Sequence, residues 1–120
     1  MILPITIKSR NVIDKFHWAK KSRLKQEYAL LIRNQMRLNK IEEIEQPNKP
    51  IINLYILSIR SRLLDEDNLV GGCKQLIDAL CDENYIYDDA PKYTRIIVDQ
   101  VKNKEVSNRT LHNKTYIRKS

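Results

Sequence analysis

Apolar positions recur along the chain with two different periods. "ITIKS", Ile5 to Ser9, alternates apolar and polar residues and predicts a short first strand. After an irregular, basic-aromatic stretch from Asn11 to Ala19, the recurrence becomes helical from about Lys20 to Asn39. Leu24, Tyr28, Leu31, Ile32 and Leu38 share one side there, and Arg23, Arg33, Arg37 and Lys40 fall on the other. "IEEIEQPNKP" is a connector closed by Pro47 and Pro50. "IINLYILSI", residues 51–59, is apolar and β-branched on both faces, which predicts a well-covered strand.

Beyond it, Asn68 reads as a helix cap ahead of a stripe formed by Leu69, Cys73, Leu76, Ile77 and Leu80. Gly71 and Gly72 disfavour that helix by roughly 1 kcal/mol each relative to alanine. Either the backbone there must bend or admit a close neighbour such as a phosphate, or the helix starts only at about Cys73. "DENYIYDDAPK" is a loop with a short extended piece at Tyr85–Tyr87, and "YTRIIVDQV", residues 93–101, is another strand. From about 103 to 120 the chain is polar and basic, a mobile tail or one more short strand. The pattern predicts one domain over residues 1–120, α/β or α+β in class, with a small mixed sheet and two main helices.

Composition adds a soluble character, with 42% hydrophobic and 31% charged residues. No apolar run reaches the roughly 20 residues of a membrane span, and the start is too short in its apolar part for a secretory signal. A cytoplasmic protein is therefore expected. Cys73 and Cys81 stand too far apart on one helix to bridge, and no CxxC or HxxxH spacing offers a structural zinc site.

Charge changes the picture more. The net charge is +7, yet residues 65–89 hold eight acids against one base, Lys74. The rest of the chain carries +14. A basic body around an acidic segment suits a protein that attracts a polyanion and holds a cation where they meet.

The acidic segment opens with "DEDN", Asp65 to Asn68. If that stretch is extended, Asp65 and Asp67 point to one side and offer hard oxygen ligands of the kind Mg²⁺ or Mn²⁺ prefers. Asp88 and Asp89 form a second pair that can fold back to join them, with Lys74 as a nearby cation. The competing explanation is plain helix capping, since acids complement the dipole at a helix start. An ordinary ion pair to Asp78 at i+4 competes likewise for Lys74.

The ordered set "DEDN", a lysine four residues before "DAL", and "DDAPK" after the helix resembles the RusA family of Holliday-junction resolvases, from about Ile51 to Val101. "GGCK" and "DDAPK" resemble one branch of it, in which the lysine stands farther from the DxDN pair. The resemblance implies a RusA-like fold, a two-fold homodimer, and a catalytic set of Asp65, Asp67, Lys74 and Asp89. Asp65, Asp67 and Asp89 would hold Mg²⁺, with Mn²⁺ as a substitute. It also implies four-way junction DNA as partner, with no membrane and no organic cofactor, in the cytoplasm of a bacterial or phage-infected cell. Arg23, Arg33, Arg37, Arg60 and Arg62 would hold DNA phosphates. A solvated helix face is the simpler account of the first three, and packing the simpler account of Trp18. A junction-binding module without turnover, and a nuclease for RNA or flap structures, are the alternative functions.

Overall fold

A computed structural model describes residues 1–103 and 113–120. Its elements in order are β1 (Ile2–Leu3), α1 (Arg10–Asp14), α2 (Trp18–Leu38), β2 (Ile52–Arg60), α3 (Glu66–Gly72), α4 (Lys74–Asp82), β3 (Thr94–Lys102) and β4 (Lys114–Lys119). The strands form one four-stranded sheet in the order β1-β4-β2-β3. β2 and β3 pair in parallel over their whole length, from Ile52↔Thr94 to Arg60↔Lys102, whereas β4 is antiparallel to both β2 and β1. The parallel pair requires a crossover, and α3 with α4 provides it. This is a mixed α+β domain, as the alternation of patterns predicts.

The core lies between one face of the sheet and the long helix. Leu54 and Ile56 of β2 and Ile117 of β4 meet Leu24, Tyr28, Ile32 and Met36 of α2, and Leu76, Ala79 and Leu80 of α4 fill the remaining space. The buried α2 residues recur every four positions, so Met36 holds the place expected for Leu38, which is 75% exposed. β2 is buried on alternate residues only, Leu54, Ile56, Ser58 and Arg60, and half-buried on the others. One covered sheet face explains this, where the apolar run suggested two.

Three further expectations change, and one open alternative is decided. Ile5–Ser9 is not a strand: Ile7 is buried, but the carbonyls are met by side chains, Thr115 Oγ1 donating to Ile5 O and Arg60 to Ile7 O. Of the stretch Asn11 to Ala19, read as irregular, residues 11–14 belong to α1, capped by Ser9, and Trp18 and Ala19 open α2. Tyr85–Tyr87 is not extended, and Tyr85 and Ile86 are buried in the turn after α4. Of the two alternatives for the tail, the short strand is the one formed: β4 lies inside the sheet, with Thr115 and Ile117 alternating into the core. The remainder of that tail falls on residues 104–112, outside the described residues.

Candidate functional site

The acidic stretch begins a helix rather than ending a strand. Asp65 is the N-cap of α3, its Oδ1 accepting from the Asn68 backbone N–H (3.3 Å) and from Asn68 Nδ2 (2.6 Å). Glu66 and Asp67 fill the first turn, where the helix dipole favours acids. The alternating-strand arrangement of Asp65 and Asp67 is therefore corrected: strand periodicity no longer applies once the backbone turns helical. Asn68 is not the cap itself. Its Oδ1 accepts from the Asn11 N–H of α1 (3.1 Å), tying the two short helices together.

The paired glycines acquire a reason here. Both lie inside α3, and Gly72 packs so closely on the Lys8 carbonyl that a β-carbon would collide with it. A β-carbon on Gly71 would stand 2.5 Å from Arg10 Cδ. The close neighbour is thus the segment 8–10 of the same chain. Helix α3 stops at Cys73, which is fully buried, and α4 starts with Lys74. Lys74 is exposed and makes no hydrogen bond or ion pair among the described residues, so the i+4 pair with Asp78 is not formed.

At the far end of α4 stands the other acidic group. Side-chain ligand atoms of Cys81, Asp88 and Asp89 lie within 4.8 Å of one another. The Asp89 backbone N–H donates to Asp88 Oδ1 (2.9 Å), and Thr94 Oγ1 donates to the Asp88 carbonyl (2.6 Å). Burial, then the hydrogen bond and charge of Asp88, raise the Asp89 carboxyl above its usual range. Burial, reinforced by Asp89, Asp88 and Asp78, pushes the Cys81 thiol up to about 12.

The two acidic groups do not meet in one chain. Leu64 is fastened to Gln100 through both of its backbone polar groups (2.9 and 2.6 Å), beside the C-terminal part of β3. Asp88 is fastened to Thr94, the first residue of β3. Six strand residues separate these anchors, roughly 20 Å along the strand at about 3.3 Å per residue. The expected metal set of Asp65, Asp67 and Asp89 is consequently not assembled within a protomer, because a parallel crossover carries its two ends to opposite ends of the sheet.

For a hard divalent cation, the fit is partial and local. Asp88 and Asp89 offer the two carboxylates that Mg²⁺ commonly takes beside waters and phosphate oxygens. Cys81 adds a soft sulfur that suits a hard cation poorly. Asp65 spends one oxygen on its cap, and Asp67 is exposed with no hydrogen bond or ion pair of its side chain among the described residues.

Of the five arginines expected at phosphates, Arg23, Arg37 and Arg62 are exposed. Arg33 is turned onto Glu83, at 2.6 Å from Nε to Oε1, and ties α2 to the end of α4. Arg60 is a correction. Only 7% exposed, it donates to Ile7 O (2.8 Å), Arg62 O (2.6 Å) and Ser58 Oγ (3.4 Å), so it braces the N-terminal segment and is not free for DNA. Its place in the alternation of Leu54, Ile56 and Ser58 is the signal that it points inward. Trp18 is 73% exposed in the first turn of α2, next to His17, so it is not a core residue. Residues that sequence reasoning missed are Cys81, beside the second acidic pair, and Lys21 and Arg10, which share clefts with Lys74. Lys21 was legible as the residue three before Leu24 on a helix whose apolar side is clear; Arg10 was not.

Comparison with protein-family models, with curated proteins and with solved structures finds no match for this chain. No helix among the described residues is long and apolar enough to cross a membrane.

Proposed function

We propose that this chain is a metal-dependent endonuclease for branched DNA, with the four-way junction as the substrate that the RusA resemblance implies. The observation that carries this reading is the gathering of Asp88 and Asp89 within 4.8 Å, with Asp89 raised by burial and then by Asp88, on a chain that is otherwise strongly basic. Crowded carboxylates repel a phosphate unless a cation stands between them. A divalent cation held there would neutralise charge on the scissile phosphate and lower the pKa of an attacking water. Asp88 and Asp89 would hold it; Lys74 would neutralise a phosphate oxygen; the exposed arginines Arg23, Arg37 and Arg62 would grip the arms of the DNA. Hydrolysis would leave a 5′-phosphate and a 3′-hydroxyl.

The roughly 20 Å between the two acidic groups is accommodated if they work across a two-fold homodimer, the acidic turn of one copy facing the acidic pair of the other. The same separation favours a second reading, a junction-binding module without turnover.

Cleavage of a labelled four-way junction beside a linear duplex, in Mg²⁺, Mn²⁺ and EDTA, tests both. Paired nicks that require metal and are abolished by Asp67→Asn and by Asp89→Asn support the nuclease. Tight binding without nicks in either metal supports the module. Mixing the two inactive variants then tests sharing between copies: a mixed dimer has one intact composite site and recovers single nicks, whereas self-contained sites stay silent.

A further inference from the structure

β3 is an edge of the sheet, nine residues long, with no strand on its outer side among the described residues. Edges of that length invite pairing with another strand. The register fixes which backbone groups stand there. Ile52 N–H donates to Tyr93 O and Asn103 N–H to Arg60 O, so the odd-numbered residues of β3 are turned to β2. The residues between them point away. Ile96, Val98 and Gln100 therefore present their N–H and C=O groups outward. Gln100 shows this directly, its N–H donating to the Asp99 side chain (2.8 Å) in place of a ladder partner.

The side chains along this edge are complementary to themselves. Arg95, Ile97 and Asp99 share one sheet face, and the two charged residues are exposed. Neither forms an ion pair among the described residues. They stand symmetrically about Ile97 with opposite sign. When two copies of β3 run antiparallel with Ile97 opposite Ile97, each Arg95 faces the Asp99 of the other copy. Ile96 then meets Val98, and these are the outward residues that exchange N–H···O=C bonds. Neighbouring registers that keep outward groups paired set Arg95 against Ile97 or Val101 instead. Opposite charges directly across antiparallel strands stabilise the pair, so this register is the favoured one.

The same register sets Thr94 of one copy opposite Gln100 of the other. Thr94 holds Asp88, and Gln100 holds Leu64, the residue before Asp65. Anchors roughly 20 Å apart along one strand thus come to about 5 Å across the pair. Both side chains lie on the core side of the sheet, so both acidic groups stand on the same side of the joined sheet. We propose that β3 is the surface on which a second copy of this chain docks, antiparallel about a two-fold at Ile97, and that each candidate site is completed by the acidic turn of the other copy. The interface rests on the free edge and the charges of Arg95 and Asp99; the shared site rests on the nuclease reading above.

Sedimentation of the full chain tests the interface. The wild type is expected to be a dimer, and Arg95→Asp or Asp99→Arg alone to weaken it about tenfold. Combining the two exchanges the charges and restores the dimer. Val98→Pro removes an outward donor and no bond to β2, so a monomer is expected, with melting curves confirming that it folds. Ile97→Cys tests the register: opposed Cα atoms of about 4.5–5.5 Å suit a disulfide, so mild oxidation gives a covalent dimer. Val101→Cys, away from the two-fold, does not. A monomeric wild type, or a dimer indifferent to the charge variants and to Val98→Pro, overturns the interface. A dimer that obeys the charge exchange but never cleaves a junction refutes the nuclease reading alone. A monomeric Val98→Pro that still makes metal-dependent nicks refutes the shared site and leaves the nuclease standing.

Discussion

Gly72 of α3 lies directly against the carbonyl oxygen of Lys8, with no room for a β-carbon between them. The contact docks the irregular N-terminal segment on the crossover helix. It fixes where Arg10 and Lys74 stand relative to each other, since Gly71 makes the same concession to the Arg10 side chain. In an open helix, Gly→Ala is worth about 1 kcal/mol in favour of alanine. Here the clash is with backbone, which cannot swing aside, and the collision wins. Gly72→Ala is expected to lower stability by roughly 1–3 kcal/mol in urea denaturation. A stabilised variant would show that segment 8–10 is not packed there.

Arg60 makes a second prediction. Removing its guanidinium strips donors from the Ile7 and Arg62 carbonyls in a nearly dry site. Arg60→Ala is expected to cost roughly 1–3 kcal/mol, against at most about 0.5 kcal/mol for Arg62→Ala at the surface. Similar denaturation midpoints for the two variants would count against the buried brace.

The pH dependence follows from Asp89. Its carboxyl is raised in the folded chain, so the folded state holds that proton more firmly than the unfolded chain does. The stabilising contribution is full below the ordinary carboxylate range and is lost as pH rises through the raised value. Asp89→Asn should thus raise the melting temperature relative to wild type in EDTA at pH 7, with the gain shrinking at pH 4. Mg²⁺ should raise the wild-type melting temperature at pH 7 and leave Asp89→Asn unmoved. A variant gain that is the same at both pH values would refute the assignment.

Both thiols should be slow to react. Burial pushes Cys73 and Cys81 up to about 12, so at pH 8 both thiols stay protonated. A colorimetric disulfide reagent should label the native protein far more slowly than the urea-unfolded chain. Fast labelling of Cys81 would mean that the loop bearing Asp88 and Asp89 opens readily.

The local periods of the chain determined much of this protein. Residues 24 to 36 wrote α2, the apolar runs wrote β2 and β3, and the acids after Leu64 marked a helix start, because propensity, capping and dipole act over a few residues. The clustering of eight acids within residues 65–89 was equally plain. Partnership across the sheet was not. The β4 segment left a short strand and a basic mobile tail equally open because only Thr115 and Ile117 face inward, and its place between β1 and β2 is set by backbone pairing with distant residues. The alternation of Leu54, Ile56 and Ser58 pointed Arg60 inward, but nothing local says which carbonyls it meets, or that Gly72 meets Lys8. The separation of the acidic turn from Asp88 and Asp89 came from topology alone: β2 and β3 run parallel, so their crossover must start at one end of the sheet and finish at the other.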